Sequence, residues 1–387
     1  MNDLFGWIHD EAAKRLSLGL RRELEVRDLA ERLVNFSSND YLGLAADPRL
    51  KEAAIEAIRR YGWGSGASPL VSGWTEPHEQ LAESIARFEG TERALLFPTG
   101  YSANLGTIAA LAESGDAVYC DRLNHASIVD GVKLSGASLR VYPHNDANRL
   151  ESILKREQGR FRRSLIVTDG VFSMDGDLAP LAALAGLADR FSAILVVDEA
   201  HGTGVFGPNG RGASETMGVS SRVPVKVGTL SKALGSIGGF VTGSDALMEH
   251  ILNRARTLIY STSMPTAAAA ASLAALKIID EEPWRRRKVF ELGDSLRGSL
   301  RELGFSCPST TGPIVPIVIG ETEKAVALSA RLREQGYFVP AIRPPTVPKG
   351  TARIRISLNA ANTVEEIDGL IQSLRLSGVT GGRDGRR

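Results

Sequence analysis

The sequence predicts an α/β protein: a large unit on a mostly parallel, seven-stranded sheet covered by helices, then a smaller α+β C-terminal unit. Three observations predict it. Short apolar runs alternate with helical patterns from about residue 45 onward. The runs are apolar at nearly every position rather than at every second one, as in strands covered on both faces. After Pro283 the texture changes to charged helices and two further strand candidates. The boundaries that follow are an N-terminal helix and arm (1–45), a large unit (46–282), a small unit (283–376) and a tail predicted to be disordered (377–387).

Taken in order, residues 1–33 read as an amphipathic helix and a charged connector. Asp3, Asp10 and Glu11 interrupt any apolar core there, which argues against a secretory signal. The strand candidates are 94–97, 117–120, 139–142, 165–168, 194–197 and 225–229, with 240–242 following glycines. Between them, 81–88, 101–111, 148–155 and 181–190 carry helical spacing. The run 265–279 is Ala-rich and too short to span a bilayer, so a buried helix is expected. In the small unit, helix 284–303 precedes strands 314–319 and 352–358, which flank helix 323–335.

Bulk properties exclude several classes. A chain of 387 residues exceeds what one compact core usually holds, which supports two units. Net charge is +1, so neither nucleic acid nor an acidic membrane surface is an expected partner. The two cysteines, Cys120 and Cys307, lie far apart; this argues against a disulfide framework and a cysteine-based metal site, and suits the cytoplasm.

In open parallel sheets, functional residues collect at the carboxyl ends of strands. Here those ends carry Thr99-Gly100, Asp121, Asp169, Asp198 and the loop that follows Thr229. That loop reads Thr-Leu-Ser-Lys-Ala-Leu-Gly, with Lys232 set before Gly235, Gly238 and Gly239. Such glycines permit close approach of backbone to a ligand. A strand-end aspartate followed by a strand-end lysine is the pair that pyridoxal phosphate (PLP) requires. The lysine forms a Schiff base with the cofactor, and the carboxylate pairs with its pyridinium nitrogen. Read singly, Lys232 is equally a surface loop lysine and Asp198 a helix cap.

Other residues fit the same chemistry. Gly100 and Tyr101 open a helix after a strand, where backbone N–H groups bind phosphate. His125 follows another strand end and offers a ring for stacking; Ser173 and His201 are placed to meet the cofactor's ring oxygen. Asp175 and Asp177 read as turn residues. An amino-acid substrate brings a carboxylate, which arginine grips with two parallel bonds. Arg353 and Arg355 are two apart on one strand candidate and share a face, Arg343 sits in a Pro-rich loop, and Asn39 lies in Asn-Phe-Ser-Ser-Asn-Asp-Tyr-Leu-Gly-Leu.

Together these residues resemble the fold-type I PLP-dependent transferases and, within them, the α-oxoamine synthases. The resemblance spans about residues 15 to 375 and rests on the stretches 35–44, 170–177, 198–204, 260–265 and 341–358. It implies that Lys232 tethers PLP and then acts as the base on the substrate α-carbon, that Asp198 pairs with the pyridine nitrogen, and that His125 stacks on the ring. It implies that Ser173 and His201 contact the ring oxygen, and that Thr229, Gly100 and Tyr101 help to hold the cofactor. Thr262 would reach the phosphate held by a neighbouring subunit, making a homodimer with its sites at the interface. Asn39 and Arg355 would bind the amino-acid carboxylate, and Arg21 (or Arg22) and Thr346 the acyl substrate. The chain departs from the family pattern at Tyr101, where Phe is usual, at Glu199, where a second Asp is frequent, and in a shorter segment between Arg22 and Asn35.

The run Ile-Arg-Pro-Pro-Thr-Val-Pro-Lys-Gly-Thr-Ala-Arg (342–353) is most similar to the branch that condenses L-alanine with pimeloyl-CoA or pimeloyl carrier protein. Sister branches use glycine with acetyl-CoA or succinyl-CoA, or serine with a long acyl-CoA. Two readings outside this chemistry fit less well. A non-catalytic PLP-fold partner subunit is expected to lack the lysine, and a nucleotide-binding oxidoreductase would want Gly-x-Gly-x-x-Gly after the first strand, which is absent at 98–103.

Overall fold

The computed structural model describes residues 4–18, 20–24, 26, 32–306 and 310–378. Most of the tail expected to be disordered (379–387), much of the charged connector and Cys307 lie outside the described residues.

The N-terminal helix, Gly6–Ser17, buries none of its residues. The chain then runs through a two-residue strand, β1 (Val34–Asn35), into the body of the protein. The central sheet has seven strands: β2 (Arg93–Phe97), β3 (Ala117–Asp121), β4 (Ser138–Tyr142), β5 (Ser164–Asp169), β6 (Ile194–Asp198), β7 (Val225–Thr229) and β8 (Gly239–Gly243). Their order is β2-β8-β7-β6-β5-β3-β4. Pairing is parallel from β7 to β4, and β8 runs antiparallel to both of its neighbours. Strand ends predicted from apolar runs hold to within a residue or two, because burial on both faces ends where the first polar side chain meets the sheet edge.

Successive residues feed two different cores, as the period-2 pleat requires. Ala117 and Tyr119 of β3, with Leu195 and Val197 of β6, face one helical layer. Val118, Cys120 and Val196 face the other. The Ala-rich run forms helix Thr266–Glu281, packed on helices Pro48–Tyr61 and Glu76–Glu89; its alanines let the backbones approach closely. Helix Gly100–Leu111 starts at a capping box in which the Thr99 hydroxyl accepts the Ser102 amide at 3.0 Å.

The small unit holds a three-stranded antiparallel sheet of β9 (Ile314–Gly320), β11 (Ala341–Ile342) and β12 (Ala352–Ser357), order β11-β12-β9. A separate short strand, β10 (Tyr337–Phe338), pairs in parallel with β1. Helices Trp284–Glu302, Thr322–Glu334 and Val364–Leu376 cover it. Its core includes Phe36 from the N-terminal arm, and the Phe36 carbonyl accepts the Ser357 amide at 2.8 Å. The arm is therefore sewn into the small unit at 34–36, while Tyr41, Leu42 and Leu44 enter the core of the large unit. Sequence periodicity carried no signal for this, since two residues are too few to show a period.

Candidate active site

The loop after β7 is built to present one lysine. The Thr229 hydroxyl donates to the Gly238 carbonyl at 2.8 Å, and the Leu230 amide reaches the same carbonyl at 3.0 Å, closing the loop at its base. Gly235 turns with φ of +64°, and a Cβ there would lie 2.4 Å from the Ala45 amide nitrogen. Only glycine satisfies both conditions. Lys232 is partly buried inside this loop, and its side-chain amine makes no hydrogen bond or ion pair among the described residues. Burial lowers its pKa to about 8; Asp198 and Asp169 hold it up against that effect, and Arg355 lowers it further.

Asp198 ends β6, opposite Asp169 at the end of β5 in the parallel register. One Asp198 oxygen accepts the Asn104 side-chain amide at 2.6 Å and the other accepts the Ala200 amide at 2.8 Å. Asn104 lies one helical turn beyond Gly100 and also donates to Ser127 at 3.0 Å. Asp169 is buried and its pKa is pushed well up, first by burial and then by the Asp198 charge. The Asp169 carboxylate accepts the His125 amide at 3.3 Å. The His125 ring is fixed by a 2.7 Å contact from Nδ1 to the Ser127 hydroxyl and meets the Tyr101 ring edge-on at 6.2 Å. Burial keeps that imidazole neutral by lowering its pKa.

The opposite wall comes from the arm and the small unit. Arg355 on β12 donates from Nε to the Ser173 carbonyl at 2.6 Å, from Nη1 to the Ser357 hydroxyl at 2.7 Å and from Nη2 to the Asn39 side-chain oxygen at 3.2 Å. Arg353, which shares its face, pairs with Asp175 at 2.5 Å. Both arginines are buried, so neither is a solvated surface charge. Tyr41 stands behind Asn39, its hydroxyl 2.6 Å from Nδ1 of His201.

The structure thus brings Lys232, Asp198, His125, His201, Ser173, Asn39 and Arg355 to one end of the sheet, with Thr229, Gly100 and Tyr101 beside them. A Cβ on Gly100 would lie 3.2 Å from Thr229, so the helix start and the lysine loop touch. Thr262 is exposed. Arg21 is exposed and paired with Glu23 at 2.8 Å. Its carbonyl accepts Arg343 at 2.7 Å, which places the arm beside the Pro-rich loop that carries the exposed Thr346. Sequence reading missed Tyr41 and Asn104 as parts of the site and noted Asp169 only as a strand-end position. For Asn104 a signal existed, its one-turn spacing from Gly100; for Tyr41 there was none.

The residues fit PLP. A lysine amine without a partner faces an aspartate. The amides of Gly100 and Tyr101, at a helix start, have no hydrogen-bond acceptor among the described residues. The side-chain oxygen of Asn104 is buried without a hydrogen bond.

The sequence matches the family described as aminotransferase class I and II over residues 31–374. The chain belongs to this family, among the 8-amino-7-oxononanoate synthases. It is 49% identical to the 8-amino-7-oxononanoate synthase of Anaeromyxobacter dehalogenans, over 95% of this chain and 94% of the relative. It is 52% identical to that of Methylococcus capsulatus, over 88% of each. Among solved structures, serine palmitoyltransferase of Sphingomonas wittichii aligns with a TM-score of 0.91 at 30% identity, over 98% of this chain and 99% of that one. An 8-amino-7-oxononanoate synthase from Francisella tularensis aligns with a TM-score of 0.77 at 31% identity, over 89% and 98%. The expected fold-type I architecture, PLP dependence and acyltransferase class all stand with the family.

Proposed function

We propose that the chain condenses L-alanine with pimeloyl-CoA, or pimeloyl carrier protein, to give 8-amino-7-oxononanoate, free CoA or carrier protein, and CO2. The observation that carries this reading is identity near one half to 8-amino-7-oxononanoate synthases along almost their whole length, against 30% to the serine palmitoyltransferases. When bound, PLP supplies an electron sink for negative charge developing at the amino-acid α-carbon.

The chain's own residues do the rest. Lys232 is the tethering amine, and once released it is the base for the α-proton. A pKa of about 8 leaves a useful neutral fraction near physiological pH. Asp198, oriented by Asn104 and the Ala200 amide, would pair with the pyridine nitrogen. His125 would stack on the cofactor ring. Ser173 and His201 would contact its ring oxygen, while Thr229, Gly100 and Tyr101 would help to hold its phosphate. Arg355 and Asn39 bind the alanine carboxylate, and Arg21 and Thr346 border the path of the acyl chain. Thr262, exposed on this chain, would reach the site of a second subunit in the homodimer that the family resemblance implies. No described helix is long and apolar enough to cross a membrane; the cysteine usage supports a cytoplasmic enzyme.

The test is a substrate matrix. L-alanine, glycine and L-serine are each supplied with pimeloyl-, acetyl-, succinyl- and palmitoyl-CoA, and thiol release is followed. Turnover with alanine and pimeloyl-CoA is the expected result; turnover confined to glycine with acetyl-CoA would overturn it.

A further inference from the structure

Tyr41 belongs to no strand or helix, yet it is wholly buried, and its hydroxyl sits where three parts of the site meet. It lies 2.6 Å from Nδ1 of His201, 3.1 Å from the Asn39 side-chain oxygen and 3.4 Å from Nη2 of Arg355. A phenol carries one proton and accepts through its lone pairs. Arg355 has only donors, so it addresses the Tyr41 oxygen as an acceptor. The Asn39 oxygen, 3.1 Å away, takes an Arg355 N–H at 3.2 Å and keeps a second lone pair open to the phenol. His201 Nδ1, at 2.6 Å by far the shortest contact, is the destination assigned to the phenolic proton. Burial keeps both groups neutral: it raises the Tyr41 pKa and drives that of His201 well down, with Lys232, Arg355 and His125 adding to the latter. A neutral imidazole that accepts at Nδ1 must carry its hydrogen on Nε2. No hydrogen bond engages Nε2 of His201 among the described residues.

We propose that Tyr41 is a positioning residue that fixes His201 as the Nε2–H tautomer and couples its orientation to the Arg355–Asn39 pair that grips the substrate carboxylate. His201 then presents a permanent donor to the cofactor's ring oxygen. The same phenol ties that donor to the arginine, so arrival of a carboxylate at Arg355 is felt at His201 through one shared oxygen. The inference rests on the reading of the site as one for PLP and an amino acid.

Two measurements test it. Nitrogen-15 NMR of histidine-labelled holoenzyme, with His201 assigned through His201→Gln, reads the tautomer directly. Hydrogen on Nε2 is expected; hydrogen on Nδ1 overturns the proposal. Tyr41→Phe removes the donor and keeps the ring. Its PLP absorption bands at fixed pH should change in ratio, and its KM for alanine should rise by roughly threefold to tenfold, the loss of one hydrogen bond, with the KM for thioester unmoved. Unchanged bands and an unchanged alanine KM would overturn it. A wild-type protein that takes up no PLP defeats the reading of the site and the proposal together. A wild-type protein that binds PLP but shows the other tautomer defeats the proposal alone.

Discussion

The fold shields the Lys232 amine from water without giving it a partner among the described residues, which suits its proposed role. Burial disfavours the ammonium form, and the amine loses its proton near pH 8. Cofactor uptake by apoenzyme should therefore speed up as pH rises through about 8, as followed by growth of the visible absorption band. Lys232→Ala should form no borohydride-trappable adduct and lose activity by on the order of a thousandfold or more. Arg355 makes a complementary prediction. Its guanidinium is held by Ser173, Ser357 and Asn39, so in the proposed site it would meet a carboxylate already oriented. Arg355→Gln should raise the KM for alanine by about tenfold to a hundredfold, the range for charge-assisted hydrogen bonds. Steady-state kinetics with each substrate varied in turn checks this. At this scale much was legible: a strand-end Asp, a strand-end Lys and a paired Arg face are sequence patterns. Tyr41 was not, because a buried loop tyrosine has no period and no motif chemistry of its own.

Between residue and fold, loop 170–178 shows how an element is held. It carries Ser173, and it is fastened from below by His144. The His144 ring spans two carboxylates, Nδ1 to Asp121 at 3.0 Å and Nε2 to Asp177 at 2.7 Å, and stands edge-on to Phe172 at 4.5 Å. Burial alone would lower its pKa, but the two carboxylates win and raise it to about 9. The folded value lies above the ordinary 6.5, so the bridge stabilises fully below about pH 6.5 and is lost as pH rises through 9. His144→Ala should cost about 1–3 kcal/mol at neutral pH, and its melting temperature should converge on the wild-type value above pH 9. Thermal melts of both proteins across pH 6 to 10 measure the gap. Asp177, expected as a turn residue, is thus also one end of a charged clamp. The strands themselves were legible because apolar runs report two-sided burial. Helix Pro48–Tyr61 was visible only as unspecified helical texture, and the short pairing of β1 with β10 was not visible at all.

At the scale of the molecule, the site exists only where three stretches converge: the arm with Asn39 and Tyr41, the large unit with Lys232 and Asp198, and β12 with Arg355. Two arginine contacts lock the small unit onto loop 170–178, and Gly176 lets them close, since a Cβ there would lie 2.8 Å from the Ile314 carbonyl oxygen. Asp175→Ala removes the ion-pair partner of Arg353, which is 5% exposed and keeps only a hydrogen bond to the Thr351 carbonyl among the described contacts, and should cost about 3 kcal/mol in urea unfolding. The alanine KM should rise with it, because Arg355 shares the strand. By itself the sequence determined the fold class, the order of strands along the chain and the chemistry, since local patterns of burial and strand-end residue types are written into short stretches. Tertiary structure alone decided which residues meet. It brought Asn104 to Asp198 and Tyr41 to His201. The physical reason is that such contacts depend on sheet order and on the docking of the arm, which result from packing summed over the whole chain and from no local stretch of it.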